Sequence, residues 1–157
     1  MKRPTLYIIQ GFICAGKSTY SKQLVKKVNA IHYNPDQWVE KLFDKQQIAE
    51  NWDNCFDKTV EIIWQKIKQH LLSGENVVFD MGFWKKSDRI KAREIAKRCN
   101  ANCMHYYLYV PDEILKQRIT QNRPESWAKI HLQNFEKNKQ KFEIPEKDED
   151  VIIINNY

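Results

Sequence analysis

The sequence predicts an α/β fold built on a parallel sheet, and three observations carry that expectation. Runs rich in β-branched and aromatic residues alternate with amphipathic stretches along the whole chain, an order that builds strand, helix, strand units with right-handed crossovers. Gly11-Phe12-Ile13-Cys14-Ala15-Gly16-Lys17-Ser18-Thr19 matches the phosphate-loop pattern G-x-x-x-x-G-K-[ST], and it stands between an apolar run and a helical one, the setting that gives the pattern weight. Val77-Val78-Phe79-Asp80 is apolar without a break up to its terminal carboxylate, as a strand covered on both faces must be.

The elements follow in order. Leu6-Tyr7-Ile8-Ile9 is the first strand, and Ser18 to Val28 carries Tyr20, Leu24 and Val28 at helical i, i+4 spacing. Ile31-His32-Tyr33 is a short second strand, interrupted by Asn34-Pro35-Asp36 because proline cannot continue a ladder. A short helix is expected from Gln37 to Phe43. Phe56, Val60, Ile63, Ile67 and Leu71 form the stripe of a long helix packed on a sheet, ended by Gly74. The third strand is Val77 to Asp80, and Ser87 is the expected cap of the helix through Ala92, Ile95, Ala96 and Cys99. Tyr106 to Val110 is a fourth strand. Pro111-Asp112-Glu113 opens a helix through Leu115 and Ile119 that Pro124 closes. Ser126 is the expected cap of a last helix carrying Trp127, Ile130 and Phe135, ended at Ile144-Pro145. The acidic run Glu146 to Asp150 reads as a solvated connection to a fifth strand, Val151 to Ile154.

A chain of 157 residues is most simply one domain, 1–157, and its size needs no stapling device. Cys14, Cys55, Cys99 and Cys103 are scattered without C-x-x-C spacing, which fits reduced thiols of a cytoplasmic protein. No apolar stretch approaches the ~18 residues of a membrane span, so neither a membrane nor a targeting segment is expected. The net charge of +6 favours acidic partners, but a protein that handles polyphosphates has reason to be basic without touching nucleic acid. Most of the lysines are spread as they are on solvated helix faces.

Ligands of an open parallel sheet gather at the carboxyl ends of its strands. After the first strand, Gly11 and Gly16 give the backbone positive φ and close approach, so the amides from Ile13 through Cys14 and Ala15 to Thr19 can converge on a phosphate at a helix N-terminus. Lys17 adds a charge over the β/γ oxygens and Ser18 a hydroxyl for Mg²⁺. After the second strand, Asp36 is either a general base for an acceptor hydroxyl or the cap of the next helix. After the third, Asp80 has the place of a carboxylate holding Mg²⁺ directly or through water. Its neighbour is Met81, where hydrolytic motor ATPases carry glutamate, and Asn138-Lys139-Gln140-Lys141 lacks the aspartate of a guanine-specific N-K-x-D. Both gaps favour transfer to a bound acceptor over hydrolysis.

Arg118 and Arg123 are either lid arginines that close over the transferring group or surface residues pairing with Glu113 and Glu125. Arg89 and Arg93, one turn apart, either meet an anion or form a salt-bridged surface pair. Trp38 and Phe83-Trp84 follow strand ends and suit stacking on a planar or sugar-like acceptor. The four histidines form no cluster and receive no role.

These residues together resemble a family. The phosphate loop, Asn34-Pro35-Asp36, Val77-Val78-Phe79-Asp80-x-Gly82-Phe83 followed by Arg89, and Val110-Pro111-Asp112-Glu113-x₄-Arg118 are similar to the P-loop kinases of the polynucleotide-kinase, chloramphenicol-phosphotransferase and zeta-toxin group, the AAA_33 type. The resemblance spans nearly the whole chain. It implies a P-loop NTPase fold with strand order 2-3-1-4-5, a small helical lid, and ATP with Mg²⁺ as donor. It puts the catalytic aspartate on Asp36, the lid arginine on Arg118 with Arg123 a weaker match, and on Asp80 a carboxylate for metal or acceptor. Polynucleotide kinases of this type place an arginine three residues after the base, where this chain has Val39. The expected activity is therefore phosphoryl transfer from ATP to a hydroxyl of a small molecule. A polynucleotide 5′-hydroxyl acceptor and a non-catalytic ATP-binding regulator are the alternatives. Asn155 and Asn156, past the last strand, are weak candidates for the adenine contact.

Overall fold

The computed structural model describes residues 2–121 and 123–157. Its strands are β1 (Thr5–Gly11), β2 (Ala30–Tyr33), β3 (Asn76–Gly82), β4 (Asn102–Tyr109) and β5 (Ile152–Asn155). Its helices are α1 (Lys17–Val28), α2 (Pro35–Leu42), α3 (Lys45–Glu50), α4 (Trp52–Leu72), α5 (Lys86–Arg98), α6 (Asp112–Thr120), α7 (Glu125–Gln133) and α8 (Phe135–Lys141). The strands form one parallel sheet in the order β2-β3-β1-β4-β5, as the family resemblance implies.

β1 is the axis. All seven of its residues are buried, and successive side chains point to opposite faces. Leu6 and Ile8 pack with Ile63, Ile67, Phe79 and Ile95 in the layer under α4 and α5. Tyr7 and Ile9 pack with Leu24, Leu108, Leu115 and Ile119 in the layer under α1 and α6. Ile63 and Ile67 are fully buried, so truncating either to alanine costs about 2–5 kcal/mol. α4 ends as expected: Gly74 takes φ +82, and the Gly74 and Glu75 amides bond back to Leu71 and His70.

Several expectations are corrected. α2 is capped by Asn34, whose Oδ1 accepts from the Gln37 amide at 3.2 Å. Asp36 is the second helical residue, so it does not cap the helix. α3, which apolar periodicity does not reveal, is fixed by a capping box between Asp44 and Gln47. Neither Ser87 nor Ser126 caps its helix; α5 starts after Lys85 and α7 after Pro124, without a side-chain cap. The last helix is two, α7 and α8, meeting at Asn134.

The connection into β5 is solvated as expected, with one exception at Glu149. Glu149 has a side chain only 3% exposed and receives Arg89 Nε at 2.7 Å and Arg93 at 3.0 Å, while Lys86 binds Glu146 and Asp148. No described helix is long and apolar enough to cross a membrane.

Candidate active site

The phosphate loop is a strained turn held from several sides. Gly16 has φ +91 and Cys14, a non-glycine, φ +62. Gly11 does not adopt positive φ, contrary to the expectation. It is needed for space, because a Cβ there would lie 3.0 Å from Lys17 Cγ and 3.2 Å from the Ala15 Cβ. Trp84 supports the loop from below: its Nε1 donates to the Gly11 carbonyl at 3.1 Å, and its ring stacks on Phe12 with centroids 5.1 Å apart. Lys17 Nζ donates to the Phe12 carbonyl at 2.9 Å. Burial pushes its ammonium below the ordinary lysine value, and the charges of Asp80 and Asp36 oppose that shift.

The carboxylates come from the neighbouring strand ends. Along the β1–β3 pairing, Ile8 faces Phe79 but Gln10 faces Gly82. β3 therefore carries one extra residue where Asp80 and Met81 stand, a bulge of the kind that re-aims a side chain. Asp80 is buried; Asn34 Nδ2 donates to its Oδ2 at 3.3 Å, and His32 Nε2 stands 3.7 Å from the same oxygen. Asn34 thus ties the Asp80 strand end to the turn that starts α2 and carries Asp36. Desolvation pushes the Asp36 carboxyl above its ordinary value; Lys17 opposes this, while Asp80 and Glu40 add to it.

One cleft of about 890 Å³ gathers these groups, a volume in the range of small-molecule sites. Cys14, Gly16, Lys17, Ser18 and Thr19 line its floor, Asp36 and Asp80 another part, and Arg118 and Arg123 approach from α6 and the turn after it. Arg118 donates to the Cys14 carbonyl at 3.3 Å and to the Asn156 carbonyl at 2.7 Å. Arg123 lies 4.7 Å from the centroid of the Trp127 ring, which stacks on His131. Among the described residues neither arginine pairs with Glu113 or Glu125.

Three expected site residues stand elsewhere. Arg89 is fully buried, and its guanidinium is spent on Glu149 and on the carbonyls of Phe83, Trp84 and Glu143. Phe83 is 1% exposed and packs edge-on against Phe79 in the core. Trp38 packs against Tyr33, with Lys41 and Lys66 over its ring. All three follow strand ends in sequence, but their side chains turn into the protein or away from the cleft.

The cleft recruits instead Trp52, Phe56 and Met81, with Trp127 and His131. No sequence signal marks Trp52, because it opens a helix far from any strand end. Asn156, a weak candidate for the adenine contact, braces the loop: its Nδ2 donates to the Ala15 carbonyl at 2.7 Å, and its backbone amide to the Tyr109 carbonyl at 3.0 Å.

Ser18 and Asp80 offer hard oxygen donors within the cleft, the donor chemistry Mg²⁺ prefers. Among the described residues no group of three or more His, Cys, Asp or Glu side chains is placed to hold a metal. That fits an ion shared between one or two protein oxygens, phosphates and water.

Comparison with known proteins agrees with the fold. No curated protein matches the sequence. Among solved structures, a gluconokinase from Sinorhizobium meliloti 1021 is similar over 99% of this chain and 85% of its own, at 17% identity and TM-score 0.65. Chaetomium thermophilum Kti12 in complex with ADP-AlF3 is similar over 95% and 88%, at 16% identity and TM-score 0.67. A shikimate kinase from Bacteroides thetaiotaomicron is similar over 97% and 86%, at 18% identity and TM-score 0.58. At these identities the likeness speaks for the fold. The family model AAA_33, described as an AAA domain, matches residues 6–145. With that match over most of its length, and a phosphate loop seated in a 2-3-1-4-5 parallel sheet, the chain belongs to the AAA_33 family.

Proposed function

We propose that this protein is an ATP-dependent kinase that moves the γ-phosphate of ATP to a hydroxyl of a small-molecule acceptor. The observation that supports it most is the presence of Asp36 in the same cleft as Lys17, Ser18 and Arg118. In this reading the loop amides and Lys17 hold the β- and γ-phosphates, and α1 directs its N-terminal end at them. Ser18 and Asp80 hold Mg²⁺, which neutralises charge on the phosphate oxygens when bound.

Asp36 accepts the proton of the acceptor hydroxyl as that oxygen forms its bond to the γ-phosphorus. The bond from the γ-phosphorus to the β-γ bridging oxygen breaks, and ADP leaves with the electron pair. The raised carboxyl of Asp36 makes it a stronger base than a solvated aspartate. Arg118 and Arg123 place positive charge beside the transferring group, an effect worth ~10³ or more in rate in related chemistry. Phe56 and Trp127 help to keep water from it.

A polynucleotide 5′-end fits less well. The position three residues after Asp36 is Val39, fully buried in the core, where an arginine for a substrate phosphate would be required. Incubation with γ-labelled ATP and a panel of metabolites, antibiotics and oligonucleotides, with mass spectrometry of whatever becomes labelled, tests the reading. A labelled alcohol of low mass is the expected outcome. Tight ATP binding with no labelled product anywhere in the panel would leave a nucleotide-binding regulator instead.

A further inference from the structure

The charges and rings of the cleft bear on what the acceptor is. Among the described residues only three lysine or arginine side chains line it, Lys17, Arg118 and Arg123. The kinase reading gives all three to the triphosphate. Lys17 and Arg118 are built into the loop by their bonds to the Phe12 and Cys14 carbonyls, and Arg123 rests on Trp127. The nearby arginines Arg89 and Arg93 are locked on Glu149. The other charged groups of the cleft are carboxylates, Asp36 and Asp80.

The rest of the wall that α4 supplies is aromatic. Trp52 and Phe56, one turn apart at i, i+4, share a helix face, with ring centroids 6.1 Å apart. They begin the same stripe of α4 that turns inward further along the helix. Cys55 and Thr59 are buried, Cys55 Sγ bonds to the Gln47 carbonyl at 3.5 Å, and Ile63 and Ile67 enter the core. Trp52 is 42% exposed although it lines the cleft. A large ring left open to water on a rigid helix, beside two carboxylates, is suited to covering the apolar face of a ligand.

We infer that the acceptor is an alcohol with no phosphate or carboxylate of its own, and that its apolar face rests on Trp52 and Phe56. This rests on the kinase reading above. An anionic acceptor would meet the Asp36 carboxylate with no lysine or arginine of the cleft left to pair it, and like charges brought together in an interface are strongly unfavourable.

The test uses two probes that differ by one carboxylate, phenyl β-D-glucopyranoside and phenyl β-D-glucuronide. Each is titrated into the full chain saturated with Mg²⁺ and a non-hydrolysable ATP analogue, and binding is followed by calorimetry and saturation-transfer NMR. The glucopyranoside is expected to bind at least about tenfold more tightly than the glucuronide. Trp52→Ala should weaken it about tenfold, the ratio that 1.4 kcal/mol produces, and Trp52→Phe by less than about threefold, since a ring is retained. Affinity for the ATP analogue should not change in either variant. Equal or tighter binding of the glucuronide, no binding of either probe, or indifference to Trp52→Ala would each overturn the inference while leaving a kinase. Failure of the ATP analogue to bind wild-type protein would instead overturn the kinase reading itself.

Discussion

Gly16 and Gly74 both have positive φ, at +91 and +82, but they differ in what surrounds them. A Cβ on Gly74 would meet nothing within 4 Å, whereas one on Gly16 would lie 2.5 Å from Asn156 Nδ2. Gly74→Ala should therefore cost only the left-handed backbone term, about 1–2 kcal/mol, and leave nucleotide affinity alone. Gly16→Ala pays the same term and also displaces Asn156, which bonds the Ala15 carbonyl and presents its own carbonyl to Arg118. It should weaken binding of a fluorescent ATP analogue by about tenfold or more, which titration of the two variants would show. Equal affinities would mean that the Asn156 brace does not shape the loop. The glycine, the lysine and the serine of this loop are legible in sequence because their spacing is the chemistry. Asn156 is not, since it lies 141 residues from its partner and only the sheet brings the two together.

At the scale of elements, the segment from Glu143 to Glu149 straps the β5 end of the chain to α5 and β1. Gln10 donates to the Glu143 carbonyl at 2.9 Å. His105 Nε2 lies 2.7 Å from Gln10 Oε1, and Arg93 lies 3.0 Å from His105 Nδ1. Arginine can only donate, so His105 accepts at Nδ1 and donates from Nε2, which requires the neutral ring. Burial, with Arg93 and Arg89 beside it, lowers its pKa to about 4. Hydrogen bonds from Arg89 hold the Glu149 carboxyl down at about 2, against the effect of its burial. Both folded values lie below the unfolded ones, so the unfolded chain binds more protons and stability falls as pH falls. The His105 part should be lost between about pH 6.5 and 4, and the Glu149 part between about pH 4.5 and 2. Urea midpoints at pH 7 and pH 5 should differ in the wild type and much less in His105→Gln, and an equal pH dependence would remove His105 as the cause. Glu149→Gln should cost about 3 kcal/mol at pH 7, because it leaves two arginines short of their carboxylate. None of this strap is legible in the sequence. Glu146 to Asp150 reads as solvated, and Glu146, Asp148 and Asp150 are exposed, but nothing marks Glu149 as the exception; Arg89 reads equally as an anion ligand or a salt-bridged surface residue, because nothing local says that a carboxylate 60 residues away will meet it in the interior.

On the scale of the whole molecule, one sheet delivers parts from distant stretches of chain to a single cleft. The phosphate-loop side of the cleft is readable because it sits at strand ends, and strand ends converge in a parallel sheet wherever the loops go. The aromatic side is not. Trp52 and Phe56 stand at the start of α4, and whether a ring lines a cleft or enters the core depends on where along one helix stripe it falls, since the same face is buried at Cys55, Thr59 and Ile63. Trp38 and Phe83 show the converse, aromatics at the right place in sequence whose side chains face elsewhere. Binding of a magnesium-loaded ATP analogue should stabilise the entire fold by mass action, by about 2.7 kcal/mol at a hundred times its Kd. Thermal unfolding with and without the analogue checks this, and an unmoved Tm at that excess would deny that the native state binds nucleotide. The central claim is that Asp36 readies the acceptor while the phosphate loop holds the donor, and Asp36→Asn separates the two roles. Measured on whichever acceptor becomes labelled, the variant should bind ATP within about twofold of wild type and transfer phosphate at least ~10²-fold more slowly; transfer at the wild-type rate would contradict the account.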